Sequence, residues 1–145
     1  MRKFWNHSRA KIHDRHDRVV RGLVDALNRR DYEAAAAYLT PDIAISDGRG
    51  TVLSGRDRYL AADREMMRHA PGARIVIDSI QFREDDVLVR GHFENAPEEL
   101  SGKAMWRGTF RDDLIATIDV TRAPGELTLP QFAARRAAES DDEDG

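Results

Sequence analysis

Val19-Val20-Arg21-Gly22-Leu23-Val24-Asp25-Ala26-Leu27-Asn28-Arg29-Arg30-Asp31 sets the architecture of this chain. Val19, Val20, Leu23, Val24 and Leu27 recur at three- and four-residue spacing, so they form the apolar face of one amphipathic helix between His13 and Arg30. Asp31 is placed to cap a second, short helix through Tyr32, Glu33, Ala34 to Ala37, Tyr38 and Leu39, which Pro41 ends. The chain therefore opens with a helical hairpin.

Downstream, Asp42 to Asp47 alternates as a short strand, with Ile43, Ile45 and Asp47 on one face, and Asp47-Gly48-Arg49-Gly50 reads as a turn. Thr51 to Leu53 form a brief strand, Ser54 is placed to cap a third helix from Arg56 to His69, and Pro71-Gly72 closes that helix. Four strand signals follow, at Ala73 to Arg83, Val87 to Glu94, Lys103 to Arg111 and Leu114 to Arg122. Helices first and strands last indicate an α+β domain with a meandering antiparallel sheet, one face of which the helices must cover. Leu127, Leu129, Phe132 and Ala133 can dock a last short element ahead of a fraying acidic tail.

Alternation assigns the strand faces. Val87, Val89, Gly91 and Phe93 share one face, as do Ala104, Trp106, Gly108 and Phe110, and Leu114, Ala116, Ile118 and Val120; these apolar sets should face the helices. His92, Met105, Arg107, Thr109, Ile115 and Asp119 then fall on the outer face. Gly91 and Gly108 either leave space for an apolar ligand bounded by Trp106, Phe93, Phe110, Met66 and Met67, or a large neighbour fills it.

Asp63 interrupts the third helix's apolar stripe, between Tyr59 and Leu60 on one side and Met66, Met67 and Ala70 on the other. A buried unpaired charge is expensive, so this helix either lines a cavity or gives Asp63 a dedicated partner. If Asp47 faces the same cavity, two carboxylates in one apolar site push their pKa values apart, leaving one ionised as a base and one protonated as a donor.

With 145 residues, 41% of them hydrophobic, the chain suits one core. A net charge of −3 with 34% charged residues describes a mixed surface, and argues against nucleic acid or membrane as a general partner. Without cysteine there is no disulfide or thiol chemistry, and neither a secretory leader nor a long apolar run is visible, so the cytoplasm is the default compartment. Residues 1–14 read as a basic arm, 15–123 as the folded domain and 124–145 as an extension with an acidic tail.

The order of elements, with Val19-Val20-x-x-Leu23-Val24-x-Ala26-Leu27-Asn28-x-x-Asp31 and Leu39-Thr40-Pro41-Asp42, resembles the nuclear transport factor 2-like superfamily, in particular its SnoaL-like and ketosteroid isomerase-like members. The resemblance covers roughly residues 15–122 and implies a cone-shaped fold, a curved antiparallel sheet wrapped around three N-terminal helices. It implies that Asp47 stands where isomerase-like members hold a general base, and Asp63 near a pocket tyrosine of theirs. The positions of their oxyanion-hole pair hold Leu23 and Trp106, and Asp119 is nearest in order to the acid/base aspartate of SnoaL-like cyclases.

These readings combine into a pocket protein for a small apolar molecule. Asp47 and Asp63 are its candidate catalytic groups, and Tyr59, Met66, Met67, Phe93, Trp106, Phe110 and Ile118 its candidate ligand contacts. The chemistry expected is cofactor-independent isomerisation, cyclisation or dehydration, with no metal; a non-catalytic binding or dimerisation module is the alternative, and a homodimer through the outer sheet face is expected. Tyr38 is a further phenolic donor, His92 lies outward, and His69 suits a helix C-terminus. His7, His13 and His16 have neither an acidic cluster nearby nor a fourth ligand to complete a metal site.

Overall fold

The helical stripe that begins at Val19 belongs to a longer helix, α1 (Arg2–Asn28), in the computed structural model, which describes the backbone of residues 2–144 and the side chains of residues 9–139. No glycine or proline interrupts residues 2–21, so a helix nucleated by the apolar face extends back past His13. Arg30, at φ 60°, ends it in the left-handed conformation, and the Asp31 N–H donates to the Ala26 carbonyl at 2.9 Å. Asp31 then caps α2 (Tyr32–Ala36), its side chain accepting from the Ala34 N–H. α2 stops short of Leu39 because that residue already belongs to the first strand.

The remaining elements are β1 (Leu39–Asp47), β2 (Val52–Ser54), α3 (Arg56–His69), β3 (Arg74–Arg83), β4 (Asp86–Glu94), β5 (Lys103–Arg111), β6 (Leu114–Arg122) and α4 (Leu129–Asp144). The α+β class is as expected, and the six strands lie in the order β2-β1-β6-β5-β4-β3. The sheet corrects one expectation: β1 pairs with β6 in parallel, Ile45 opposite Ile118 and Asp47 opposite Val120, so it is mixed and not all antiparallel. Alternation fixes which way side chains point but carries no information on strand direction. Other boundaries shift as well. Ser54 ends β2, Gly55 is the residue before α3, and α4 runs much further than the short element expected.

The register shifts at three places in the sheet, between Leu39 and Ala44 in β1, between Ile77 and Ser79 in β3 and at the β5–β6 pairing, and the last of these changes the parity expected for β6. Between β5 and β6 the register shifts, with Thr109 opposite Thr117 but Phe110 opposite Ile115, so Ala116 has no direct partner. Ile115 is consequently buried in the core and not on the outer face as alternation predicts. Ile118 and Val120 keep their inward parity, and Asp119 stays outside, accepting a hydrogen bond from Ser46.

Leu23 and Leu27 of α1, Tyr59 and Leu60 of α3, Leu39, Ile43 and Ile45 of β1, and Ile115 and Val120 of β6 form the main core. Each large side chain buried there stabilises the fold by about 1.5–3 kcal/mol. A second cluster joins Met66, Met67 and Ala70 at the end of α3 to Leu100, Leu127 and Phe132. Among the described residues no helix is long and apolar enough to cross a membrane.

Gly91 shows how tightly the cone is packed. A Cβ there would collide with the Val76 carbonyl oxygen and lie 3.1 Å from Trp106 Cζ3, whereas nothing lies within 4 Å of a Cβ at Gly48. In urea unfolding, Gly91→Ala should lose about 1–3 kcal/mol. Gly48→Ala should change stability by less than about 0.5 kcal/mol.

Candidate functional site

α3 carries Tyr59, Leu60, Asp63, Met66 and Met67 on its buried face, and Asp63 is only 7% exposed. Its partner is Tyr32, at the start of α2, whose hydroxyl donates to Asp63 Oδ2 at 2.9 Å. Burial pushes the Asp63 carboxyl up to about 6, against the hydrogen bond from Tyr32 and the positive charge of Arg30, which both act to lower it. Arg30 is itself held in place by backbone carbonyls, among them that of Ala73 at 2.5 Å. The hydroxyls of Tyr32 and Tyr59 are both held protonated, first by burial and then by the nearby Asp63 carboxylate. The Arg64 guanidinium lies over the Tyr32 ring at 5.2 Å.

Asp63 lines a cavity of about 60 Å³ together with Ile45, Tyr59, Met66, Phe93, Trp106, Ile118, Leu127, Thr128 and Leu129. A second cavity, of about 80 Å³, lies among Val20, Leu23, Val87, Val89 and Gly108. Leu27, Tyr59, Ile75, Trp106 and Ile118 line both and form the partition between them. Ligand sites usually measure roughly 300 Å³ or more, so this interior is nearly full. Neighbours occupy the space left by the two glycines: the Trp106 ring lies against Gly91, and Val87 Cγ1 against Gly108.

Of the contacts expected from sequence, Tyr59, Met66, Phe93, Trp106 and Ile118 meet around Asp63. Met67, packed beside Met66 in the second cluster, does not line this cavity. Phe110 lines neither cavity, and its ring stacks on His16 at a centroid distance of 3.7 Å. Tyr38 packs at the margin of the main core against Gly22.

Asp47 is also buried, at 6% exposure, but its oxygens serve the backbone. Oδ1 accepts from the N–H groups of Arg49 and Thr51 at 2.9 and 3.1 Å, and Oδ2 from the Thr128 hydroxyl at 3.3 Å. It thus closes the β1–β2 turn and ties it to the segment entering α4. It lines neither inner cavity, and Asp63 has Tyr32 as partner in place of an Asp47 neighbour.

The histidines lie outside this site. His92 is on the outer face, with Nδ1 2.9 Å from Asp78 and Nε2 3.7 Å from Glu94, and the hydrogen bond to Asp78 chiefly raises its pKa. His69 sits edge-on to Phe132, while His13 stacks on Phe82. The His7 side chain falls outside the described residues, among which no cluster of three or more histidine, aspartate or glutamate side chains is arranged to hold a metal.

Sequence reasoning missed Tyr32, Leu127, Thr128, Leu129 and Arg122. The anomaly of Asp63 signalled that some partner exists, yet nothing in the spacing of residues 32 and 63 links α2 to α3. Arg122 is buried, with a side chain only 3% exposed, and donates to the carbonyls of Leu100, Gly102 and Leu127. Its inward strand parity was the available signal.

A curved sheet packed over helices, with one carboxyl at the wall of a small apolar cavity, defines a cone-shaped α+β domain. The chain belongs to the SnoaL-like domain family, whose model matches residues 20–118. Comparison with curated protein sequences gives no match. Among solved structures, an NTF2-like protein from Cytophaga hutchinsonii is similar at TM-score 0.64 and 18% identity, over 75% of this chain and 90% of that one. A candidate ketosteroid isomerase from Kribbella flavida gives 0.65 and 18% over 74% and 77%, and a candidate polyketide cyclase from Sinorhizobium meliloti 0.64 and 20% over 70% and 92%. At these identities the likeness is one of fold.

Two measurements check the electrostatics. Because Asp63 titrates at about 6 when folded against 3.8 unfolded, its contribution to stability is complete below about pH 4 and is lost as pH rises through 6. That loss amounts to about 3 kcal/mol by pH 7. Asp63→Asn keeps an acceptor for Tyr32 and should flatten this slope in thermal melts between pH 4 and 7. For Asp47, replacement by Ala leaves three donors unpaired and should cost about 1–3 kcal/mol, whereas Asp47→Asn, which keeps Oδ1, should cost less than about 1 kcal/mol in urea titrations.

Proposed function

We propose that the chain binds a small apolar molecule inside the cone and exchanges a proton with it through Asp63, as a cofactor-independent isomerase, cyclase or dehydratase would. The observation that carries this reading is the Asp63 carboxyl at the cavity wall, pushed up to about 6 by burial. A base of that pKa stays ionised at neutral pH and still returns its proton readily. Tyr32 steadies Oδ2, and the protonated Tyr59 phenol lines the same cavity as a hydrogen-bond donor for a ligand oxygen. In such a step Asp63 takes a proton from a carbon or hydroxyl acidified by a neighbouring carbonyl, Tyr59 hydrogen-bonds the oxygen on which charge develops, and Asp63 gives the proton back at another atom. The candidate isomerase and cyclase among the similar folds support the class of chemistry. Asp47, first expected as the base, serves in this scheme to hold the β1–β2 turn.

A non-catalytic dimerisation module is the second reading. It is favoured by the small interior and by an open hollow of about 800 Å³ on the outer sheet face, lined by Asp78, Arg90, His92, Lys103, Met105 and Thr121. Mixed charges around a methionine suit the same face of a second copy, paired about a two-fold axis.

Thermal-shift screening of apolar carbonyl and phenolic compounds separates the readings. A ligand of the Asp63 site should raise the melting temperature of the natural chain, act at least about 10-fold more weakly on Asp63→Asn, and act equally on Asp47→Asn. A library without any stabilising compound, together with loss of dimer in sedimentation of Met105→Asp, would leave the dimerisation module as the function.

A further inference from the structure

Residues that follow β6 form part of the wall of the cavity at Asp63. Leu127, Thr128 and Leu129 line it, and all three lie outside residues 20–118, the stretch that matches the family. The segment leaves β6 through Pro124-Gly125, with Gly125 at φ 90°, a conformation that suits glycine alone among common residues. The Glu126 N–H closes the turn on the Ala123 carbonyl at 3.1 Å. Beyond it, Leu127 and Phe132 are buried against Met66 and Leu100.

A short set of polar contacts latches this segment. Arg122 donates to the Leu127 carbonyl at 2.8 Å, the Leu127 N–H to the Glu99 carbonyl at 2.9 Å, and the Thr128 hydroxyl to Asp47 Oδ2 at 3.3 Å. On the surface Arg136 pairs with Glu65 at 2.9 Å. The latch is incompletely satisfied, for Arg122 Nε is buried without a hydrogen-bond partner and Glu126 Oε2 is held only by its ion pair with Arg122 Nη2 at 3.4 Å. Swinging the segment outward hydrates Arg122 Nε and exchanges the ion pair for water, which offsets part of the exposure of Leu127 and Phe132.

The cavity also fails on size while the segment is in place. A benzene-sized guest needs a dry cavity on the order of 150 Å³, whereas this one measures about 60 Å³. We propose that residues 127–132 are an intramolecular stopper: Leu127 and Leu129 occupy the space that the apolar body of a ligand takes beside Asp63, and entry of that ligand swings the segment out about Pro124-Gly125. The inference rests on the Asp63 cavity being the ligand site. It assigns selection by size to a segment outside the region shared with the family, so relatives with the same core can admit different molecules.

Amide hydrogen exchange on the full natural chain tests the opening without any substitution. The Leu127 N–H, bonded to Glu99, and the Phe132 N–H, bonded to the Thr128 carbonyl, should exchange at least about 10-fold faster than the amides of β5 in the middle of the sheet. Shortening the stopper with Leu129→Ala should raise affinity for the neutral dye N-phenyl-1-naphthylamine at least about 10-fold, read by its fluorescence. Exchange of Leu127 and Phe132 at the β5 rate, or dye binding unchanged in Leu129→Ala, each overturns the stopper. The exchange rates do not depend on Asp63 and the Asp63→Asn comparison does not depend on the segment, so the two readings fail separately.

Discussion

The parallel pairing of β1 with β6 holds this molecule together. It joins the helical N-terminal half to the meander, setting Ile45 beside Ile118 and Asp47 beside Val120. The Ile115 N–H reaches the Tyr38 carbonyl at 2.9 Å, so the turn from α2 into β1 is locked to the start of β6. Core residues from β1 and β6 meet only through this pairing, and α3, packed over β1, is thereby held above the interior. The bulge at Ala116 belongs to the same arrangement, because it turns Ile115 inward where β6 runs alongside β1.

Once α3 is fixed there, Asp63 is largely withdrawn from solvent. A carboxyl in that position opposes folding at neutral pH, and the hydrogen bond from Tyr32 recovers part of the penalty without neutralising it as a buried arginine would. Arg30 acts from a distance, its guanidinium committed to backbone carbonyls. The result is a carboxyl still able to exchange a proton near neutral pH. Asp47 shows the opposite outcome for the same residue type. Two backbone N–H groups and a hydroxyl surround it, so its oxygens are committed to the β1–β2 turn and the segment entering α4.

Much of the fold and part of the site were legible in the sequence. The 19–31 stripe marked α1, alternation sorted β4 and β5 correctly, and Asp63 announced itself as a charge on an apolar face. Tyr59, Met66, Phe93, Trp106 and Ile118 followed from the same periodicities, since a side chain's face is fixed by its own strand or helix. Met67 and Phe110 also point inward but line neither cavity: Met67 packs beside Met66 in the second cluster, and the Phe110 ring is taken up by His16. Nothing local to Tyr32, Arg122 or Leu127 could reveal that they meet Asp63, Leu100 or the cavity.

By itself the sequence determined which residues turn inward and that one of them is an aspartate, because periodicity is a property of each element taken alone. The tertiary structure decided what that aspartate meets. Strand direction, the bulge that moved Ile115 into the core, the Tyr32 hydrogen bond and the packing of residues after β6 along the Asp63 cavity all depend on contacts between elements far apart in the chain. Such contacts are set by how the elements fit together, and no residue carries that geometry in its neighbours along the sequence.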